Sequence, residues 1–269
     1  MLRALFGAVA LALYAAQSTA AAEPRDLQTI VDGAVLRVAL TRFDLPAFHA
    51  RASDGTLGGP EIDMAQQIGR ALGVRVEFVD TADSFDGVVD LVAQGRADIG
   101  VSKLSQTYDR LKRVRFSDPY VTLRHALLFN RAAIARAGGN LSPAAGLQKY
   151  SSRLGVIAGS AYVEFARRNF PGAALVEERS WEAALDHLIA GGTDALYRDE
   201  FEIRRVLKNR PALNVKLGSA VITDQTALLS IAICDSCSKL QEFLNYHVGR
   251  SRGAFTLQRL LDSEGKENR

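Results

Sequence analysis

Arg110 heads a dense basic run with Lys112, Arg113 and Arg115. A guanidinium is a planar fork of N–H donors that can hold a carboxylate through two bonds. Charged hydrogen bonds of this kind are worth about 1.5–3 kcal/mol each. Two of them supply a large part of the ~8 kcal/mol that micromolar affinity requires. The remaining members of the run read as the solvated face of a helical turn. Cys234 and Cys237 form a Cys-Asp-Ser-Cys motif. In an oxidising compartment that spacing suits a small-loop disulfide. After a strand it also suits redox chemistry, although no other thioredoxin-like feature accompanies it. The histidines His49, His125, His187 and His247 show no ligand spacing, so neither a metal nor a cofactor is expected. No Ser/His/Asp or paired-carboxylate constellation stands out, and the chain reads as a non-enzyme.

These residues need a scaffold. The chain has 269 residues, 48% of them hydrophobic, and a net charge of +3. That is enough to bury one or two cores. The charge excess is too small to argue for nucleic acid or a membrane surface. Arg3, an apolar stretch from Ala4 to Ala16, and the small residues Ser18 to Ala22 read as a signal peptide over residues 1–22. Ala20-Ala21-Ala22 fits a cleavage site before Glu23. The mature chain is therefore expected outside the cytoplasm, in the periplasm, as a soluble monomer.

Strand and helix patterns alternate along the mature chain. Val35 to Leu40 reads as a buried strand, and Ile62, Ala65, Ile68 and Leu72 recur at helical spacing before Gly73. Arg75 to Val79 is a second strand. Phe85, Val88, Val89 and Val92 mark a second helix, and Ala97 to Val101 a third strand. A βαβαβ start implies a parallel sheet with helices on its faces. The same grammar restarts at Leu154 to Ala158, with Gly159-Ser160 leading a helix to about Asn169. Ser180 caps a helix carrying Trp181, Ala184, Leu185 and Leu188, and Asp194 to Tyr197 is another strand. A loop-like stretch from Ala137 to Ser152 separates the two copies. Leu228 to Ile233 reads as one final strand. Helices over Leu240–His247 and about Gly253–Leu261 follow, then a polar tail from Asp262.

Five segments in order carry a resemblance. They are Gly59-Pro60-Glu61-Ile62-Asp63, Phe85-Asp86-Gly87, Gly95-Arg96-Ala97-Asp98, Thr107-Tyr108-Asp109-Arg110 and Phe116-Ser117-Asp118-Pro119-Tyr120. With them the chain resembles the periplasmic solute-binding proteins of polar amino-acid ABC transporters, over nearly all its mature length. The resemblance implies the α/β, two-lobed periplasmic-binding-protein type II fold, with two lobes joined by two hinge crossings. One crossing falls just after Tyr120 and the other near Lys216 to Ile222. Lobe 1 then comprises 23–123 and 222–269, and lobe 2 comprises 124–221.

The resemblance also implies site roles. Arg110, three residues after Thr107, matches the family's carboxylate-binding arginine. Ser102 and Ser105 match polar ligand contacts, Phe85 an aromatic cover, and Phe48 or Phe43 a further aromatic wall. Ser160 and Ala161, after Gly159, lie between a strand and a helix, where backbone N–H groups suit a carboxylate; the family usually has threonine where Ala161 stands. Asp199 matches the aspartate for a ligand's α-ammonium, so Arg110 and Asp199 together would read a zwitterion. Lys103 departs from the pattern, standing where a small residue is usual, and it points to an acidic or non-amino ligand or else to solvent. The implied function is capture of a small carboxylate-bearing solute, an amino acid first, for an ABC transporter permease. Alternatives of the same fold are a sensory or dehydrogenase-accessory protein and a periplasmic cyclohexadienyl-type dehydratase.

Overall fold

The computed structural model describes residues 24–136, 152–251 and 255–267. The expected signal peptide lies outside these residues, as does the expected loop from Ala137, apart from Ser152. The first half runs α1 (Leu27–Asp32), β1 (Val35–Thr41), β2 (Ala50–Arg51), β3 (Leu57–Gly58), α2 (Pro60–Leu72), β4 (Arg75–Ala82), α3 (Phe85–Ala93), β5 (Ile99–Gly100), α4 (Tyr108–Leu111) and β6 (Val114–Phe116). The second half runs β7 (Val121–Asn130), α5 (Arg131–Arg136), β8 (Arg153–Ile157), α6 (Ala161–Asn169), β9 (Ala174–Glu178), α7 (Trp181–Ile189), β10 (Ala195–Asp199), α8 (Glu200–Asn209) and β11 (Leu217–Leu229). It closes with β12 (Ala232–Cys234), α9 (Ser238–Arg250) and α10 (Leu257–Glu267).

Two five-stranded sheets result, ordered β4-β1-β5-β12-β6 and β11-β7-β10-β8-β9. Each has a parallel nucleus, β4-β1-β5 and β9-β8-β10, flanked by antiparallel strands. This is the two-lobed α/β type II architecture. Helices cover both sheets because their apolar faces match the strand residues beneath: α3 buries Phe85, Val88, Val89, Leu91 and Val92. Capping sets where the helices begin. The hydroxyls of Ser84, Thr107 and Ser180 accept hydrogen bonds from the N–H groups of Gly87, Arg110 and Ala183. Close packing also fixes residue size. A side chain at Gly69 would come within 2.4 Å of Val76 Cγ2, which is why α2 lies tight on β4.

The chain crosses between sheets twice, and the crossings are stitched together. Tyr120 N–H donates to Leu229 O at 3.0 Å, Ser117 N–H to Ile231 O at 2.9 Å, and Ile231 N–H to Ser117 Oγ at 3.0 Å. The sequence reading places the second crossing near Lys216 to Ile222. In the structure β11 stays paired with β7 as far as Leu229 opposite Val121, and the return comes at Ser230–Ile231. The single strand expected over Leu228–Ile233 is therefore two strands in two sheets. An unbroken apolar run does not show a change of sheet, because both halves are buried alike. The last helix also runs beyond Asp262, where a polar tail is expected, to Glu267. It begins after Thr256, whose hydroxyl accepts from Arg259 N–H at 3.2 Å.

Candidate functional site

Between the lobes lies a narrow cavity lined by Phe85, Lys103, Ser105, Arg110, Ser160, Ala161, Tyr162, Arg198, Asp199 and Leu229. The first four come from the first lobe and most of the rest from the start of α6 and the end of β10. Backbone hydrogen bonds help to close the cavity. Asp86 N–H donates to Gly159 O at 3.0 Å, and the N–H groups of Tyr108 and Asp109 both donate to the Glu164 carboxylate at 3.0 Å.

Arg110 is buried at the first turn of α4, 2% exposed. Its Nε donates to Asp86 Oδ1 and its Nη1 to Ser105 O, both at 2.9 Å. Its Nη2 has no partner. Burial pulls the Arg110 pKa down, and the neighbouring Asp86 opposes that shift. Arg198 is also buried, with its guanidinium against the rings of Phe85 and Tyr162 at 5.2 and 5.6 Å. Its Nε lacks a hydrogen bond and lies 3.7 Å from Asp199 Oδ2. The Tyr162 hydroxyl is buried without a partner as well, and burial raises its pKa well above the usual phenol value. Three unsatisfied donors thus meet in one cavity. Buried polar groups are ordinarily paired, so such a cluster marks the place of a missing acceptor.

Lys103 is the centre of the second cluster. Its Nζ lies 3.0 Å from Asp199 Oδ2 and 2.7 Å from Glu202 Oε1, between the rings of Phe48 and Phe201 at 5.0 Å each. It therefore does not point to solvent. Its backbone φ is 51°, in the left-handed region where a residue with a side chain is strained. Asp199 also caps α8, accepting from Glu202 N–H at 3.1 Å. Burial would raise the Glu202 pKa, but Lys103, Arg205 and Arg198 outweigh it and hold this carboxyl below the usual range.

The structure brings Arg110, Ser105, Lys103, Phe85, Ser160, Ala161 and Asp199 to one cavity. The others lie behind it. Phe48 is fully buried beneath Lys103, and Ser102 accepts from Thr41 N–H at 2.9 Å. Thr107 uses its hydroxyl as the α4 cap. Ser160 donates its hydroxyl to Ile157 O at 2.6 Å. Phe43 lines an adjoining cavity. Cys234 and Cys237 are disulfide-bonded with Cα atoms 5.3 Å apart, before α9 and remote from the cleft wall.

In this geometry the Lys103 ammonium contacts Asp199, the carboxylate expected to meet a ligand's α-ammonium. Sequence reading missed Arg198, Tyr162 and Glu202. The signal was faint: Arg198 and Asp199 are adjacent, and alternation would put them on opposite faces. All five β10 residues are nevertheless buried. Behind Lys103, Glu61 is fully buried, accepting from Lys103 N–H at 2.7 Å and Tyr120 Oη at 2.5 Å and meeting His49 Nδ1 at 2.8 Å. That network fixes the backbone from which Lys103 projects.

Residues 36–230 match the model of the bacterial extracellular solute-binding proteins, family 3. Cyclohexadienyl dehydratase of Pseudomonas aeruginosa is 37% identical over 111 residues, which is 41% of this chain and 40% of that protein. The L-cystine-binding protein TcyJ of Escherichia coli is 27% identical over 212 residues, 77% of this chain and 74% of that protein. A crystal structure of an ancestral amino acid-binding protein, described as a precursor of cyclohexadienyl dehydratase, matches with a TM-score of 0.67 at 25% identity. That match covers 88% of this chain and 97% of the ancestral one. The dehydratase match overturns the expectation of a non-enzyme. That expectation rested on finding no paired carboxylates; Asp199 and Glu202 stand three residues apart in the sequence, and the fold sets the distant Lys103 against both. The match over residues 36–230, more than half of the chain, places this chain in the family 3 bacterial extracellular solute-binding proteins.

Proposed function

We propose that the protein is exported and captures a small carboxylate-bearing solute in the inter-lobe cleft, with Arg110 and Arg198 as its anchors, and delivers it to an ABC transporter permease. One observation carries the reading: Arg110 Nη2, Arg198 Nε and Tyr162 Oη are buried, unpartnered donors around one cavity. A carboxylate supplies the acceptors that this cluster lacks. Relatives named for L-cystine and other amino acids favour the same ligand class. The stitched crossings at Ser117–Tyr120 and Leu229–Ile231 serve as the hinge, and closure follows capture.

The test is a thermal-shift screen of amino acids and small carboxylates, since a ligand that binds only the native state raises its stability. Calorimetry on the best hit with Arg110→Ala and Arg110→Lys follows. Loss of charged hydrogen bonds lowers affinity by about tenfold to a hundredfold in both. Unchanged affinity in both removes Arg110 from the site.

A second reading, catalysis on such a carboxylate, is favoured by the dehydratase relative. Incubating the protein with a cyclohexadienyl carboxylate and following loss of water by mass spectrometry separates turnover from simple binding.

A further inference from the structure

Granting the carboxylate reading above, we propose that the cleft selects a carboxylate that carries no α-ammonium and has an apolar body. The first half follows from which polar atoms are free. Of the three unpartnered atoms around the cavity, Arg110 Nη2 and Arg198 Nε can only donate, and Tyr162 Oη can donate or accept. The carboxylates are engaged. Asp199 Oδ1 accepts from Lys103 Nζ at 3.2 Å and from Glu202 N–H at 3.1 Å, and Asp199 Oδ2 lies 3.0 Å from the same ammonium. Glu202 is held between Lys103 and Arg205, at 2.7 and 2.9 Å. The Ser105 carbonyl accepts from Arg110.

An α-ammonium beside Arg110 and Arg198 would find only Asp199 among the residues lining this cavity, and Lys103 already holds it. It would face the Lys103 ammonium and two guanidinium groups instead. Lys103 is itself a built feature: its backbone stays in the left-handed region, and two aromatic rings and two carboxylates hold its Nζ. Strain of that kind persists only where surrounding contacts over-determine it. The chain supplies its own ammonium at Asp199.

The second half follows from the neighbouring cavity of about 180 Å³, which shares Phe85 and Arg198 with the first. Phe43, Leu45, Pro46, Phe85, Ile157 and Trp181 form its apolar wall, with Asp44, Arg179, Glu182 and Arg205 among the polar residues that also line it. A ligand whose carboxylate meets Arg110 and Arg198 extends its other end along Phe85 into this space.

Matched pairs that differ only in the α-ammonium test the proposal on the wild-type protein. Isothermal titration calorimetry is run with 3-phenylpropionate against L-phenylalanine, 4-methylpentanoate against L-leucine, and glutarate against L-glutamate. Each ammonium-free acid is expected to bind tighter than its partner by about a hundredfold, the cost of placing like charges together in a buried site. The two apolar acids are expected to bind tighter than glutarate. An amino acid that binds as tightly as its partner overturns the proposal while leaving the carboxylate reading in place. Glutarate as the tightest ligand overturns the apolar body. No binding by any of the six overturns the carboxylate reading and this inference with it. Lys103→Met, which frees Asp199, should cut the preference by about tenfold or more. A folded variant with an unchanged preference removes Lys103 from the selection, and if the variant does not fold the wild-type pairs decide.

Discussion

Replacing Lys103 with methionine removes one ammonium from between two buried carboxylates. The side chain keeps its length and its packing on Phe48 and Phe201, and the left-handed backbone strain is unchanged, so the charge is the main loss. Lys103 Nζ lies 3.0 Å from Asp199 and 2.7 Å from Glu202. Charged hydrogen bonds contribute about 1.5–3 kcal/mol each, and breaking a buried ion pair costs about 3–5 kcal/mol. Arg205 still holds Glu202 at 2.9 Å, and Arg198 stands 3.7 Å from Asp199, which puts the loss at the lower end, about 3 kcal/mol at pH 7.

The sign of the pH dependence is specific. In the wild type Glu202 is held below its usual range, so its contribution is present above the unfolded carboxylate value and is lost as pH falls. In the variant Glu202 loses one of the cations that hold it ionised while its burial remains, so the deficit shrinks on acidification. Urea denaturation followed by far-UV circular dichroism at pH 7 and about pH 4.5 measures both. Other titrating groups act equally on the two proteins and cancel in the difference. A deficit below about 1 kcal/mol at pH 7 refutes the buried triad, and so does an equal deficit at both pH values.

Two further outcomes follow from other parts of the fold. Burial, first among the causes, pushes the His125 pKa from 6.5 down to about 4, so its contribution to stability is complete above 6.5 and is lost as pH falls toward 4, by about 3 kcal/mol. His125→Phe keeps the ring among Tyr162, Phe165 and Tyr197 and should flatten the acid limb of stability measured by urea denaturation; an unchanged limb refutes the assignment. Gly159 has φ 64°, and a Cβ there would lie 2.8 Å from Ser84 Cβ across the cleft. Gly159→Ala should therefore hold the lobes apart and weaken ligand affinity about tenfold with unchanged circular dichroism, whereas wild-type affinity in calorimetry would show that this contact does not limit closure.

Much of the scaffold can be read from the chain because its signals are local. Apolar spacing marks α3 within nine residues, and Ser180 caps α7 from the adjacent position. The return crossing at Ser230–Ile231 is not legible, because the bonds that turn the chain come from Leu104 and Ser117, far away in sequence. The site divides the same way. Arg110 is recognisable because its residue type and local motif announce carboxylate chemistry. Lys103 is recognisable as a departure, but its partners lie 96 and 99 residues away, and nothing in its neighbourhood tells an ammonium aimed at solvent from one sealed between two carboxylates. Residue types alone present Arg110 and Asp199 as two halves of a zwitterion reader. Folding engages Asp199 internally and leaves only Nη2 of Arg110 without a partner. What a cleft selects is set by the hydrogen-bonding groups left over after the protein has satisfied its own, and here those include guanidinium N–H groups of Arg110 and Arg198.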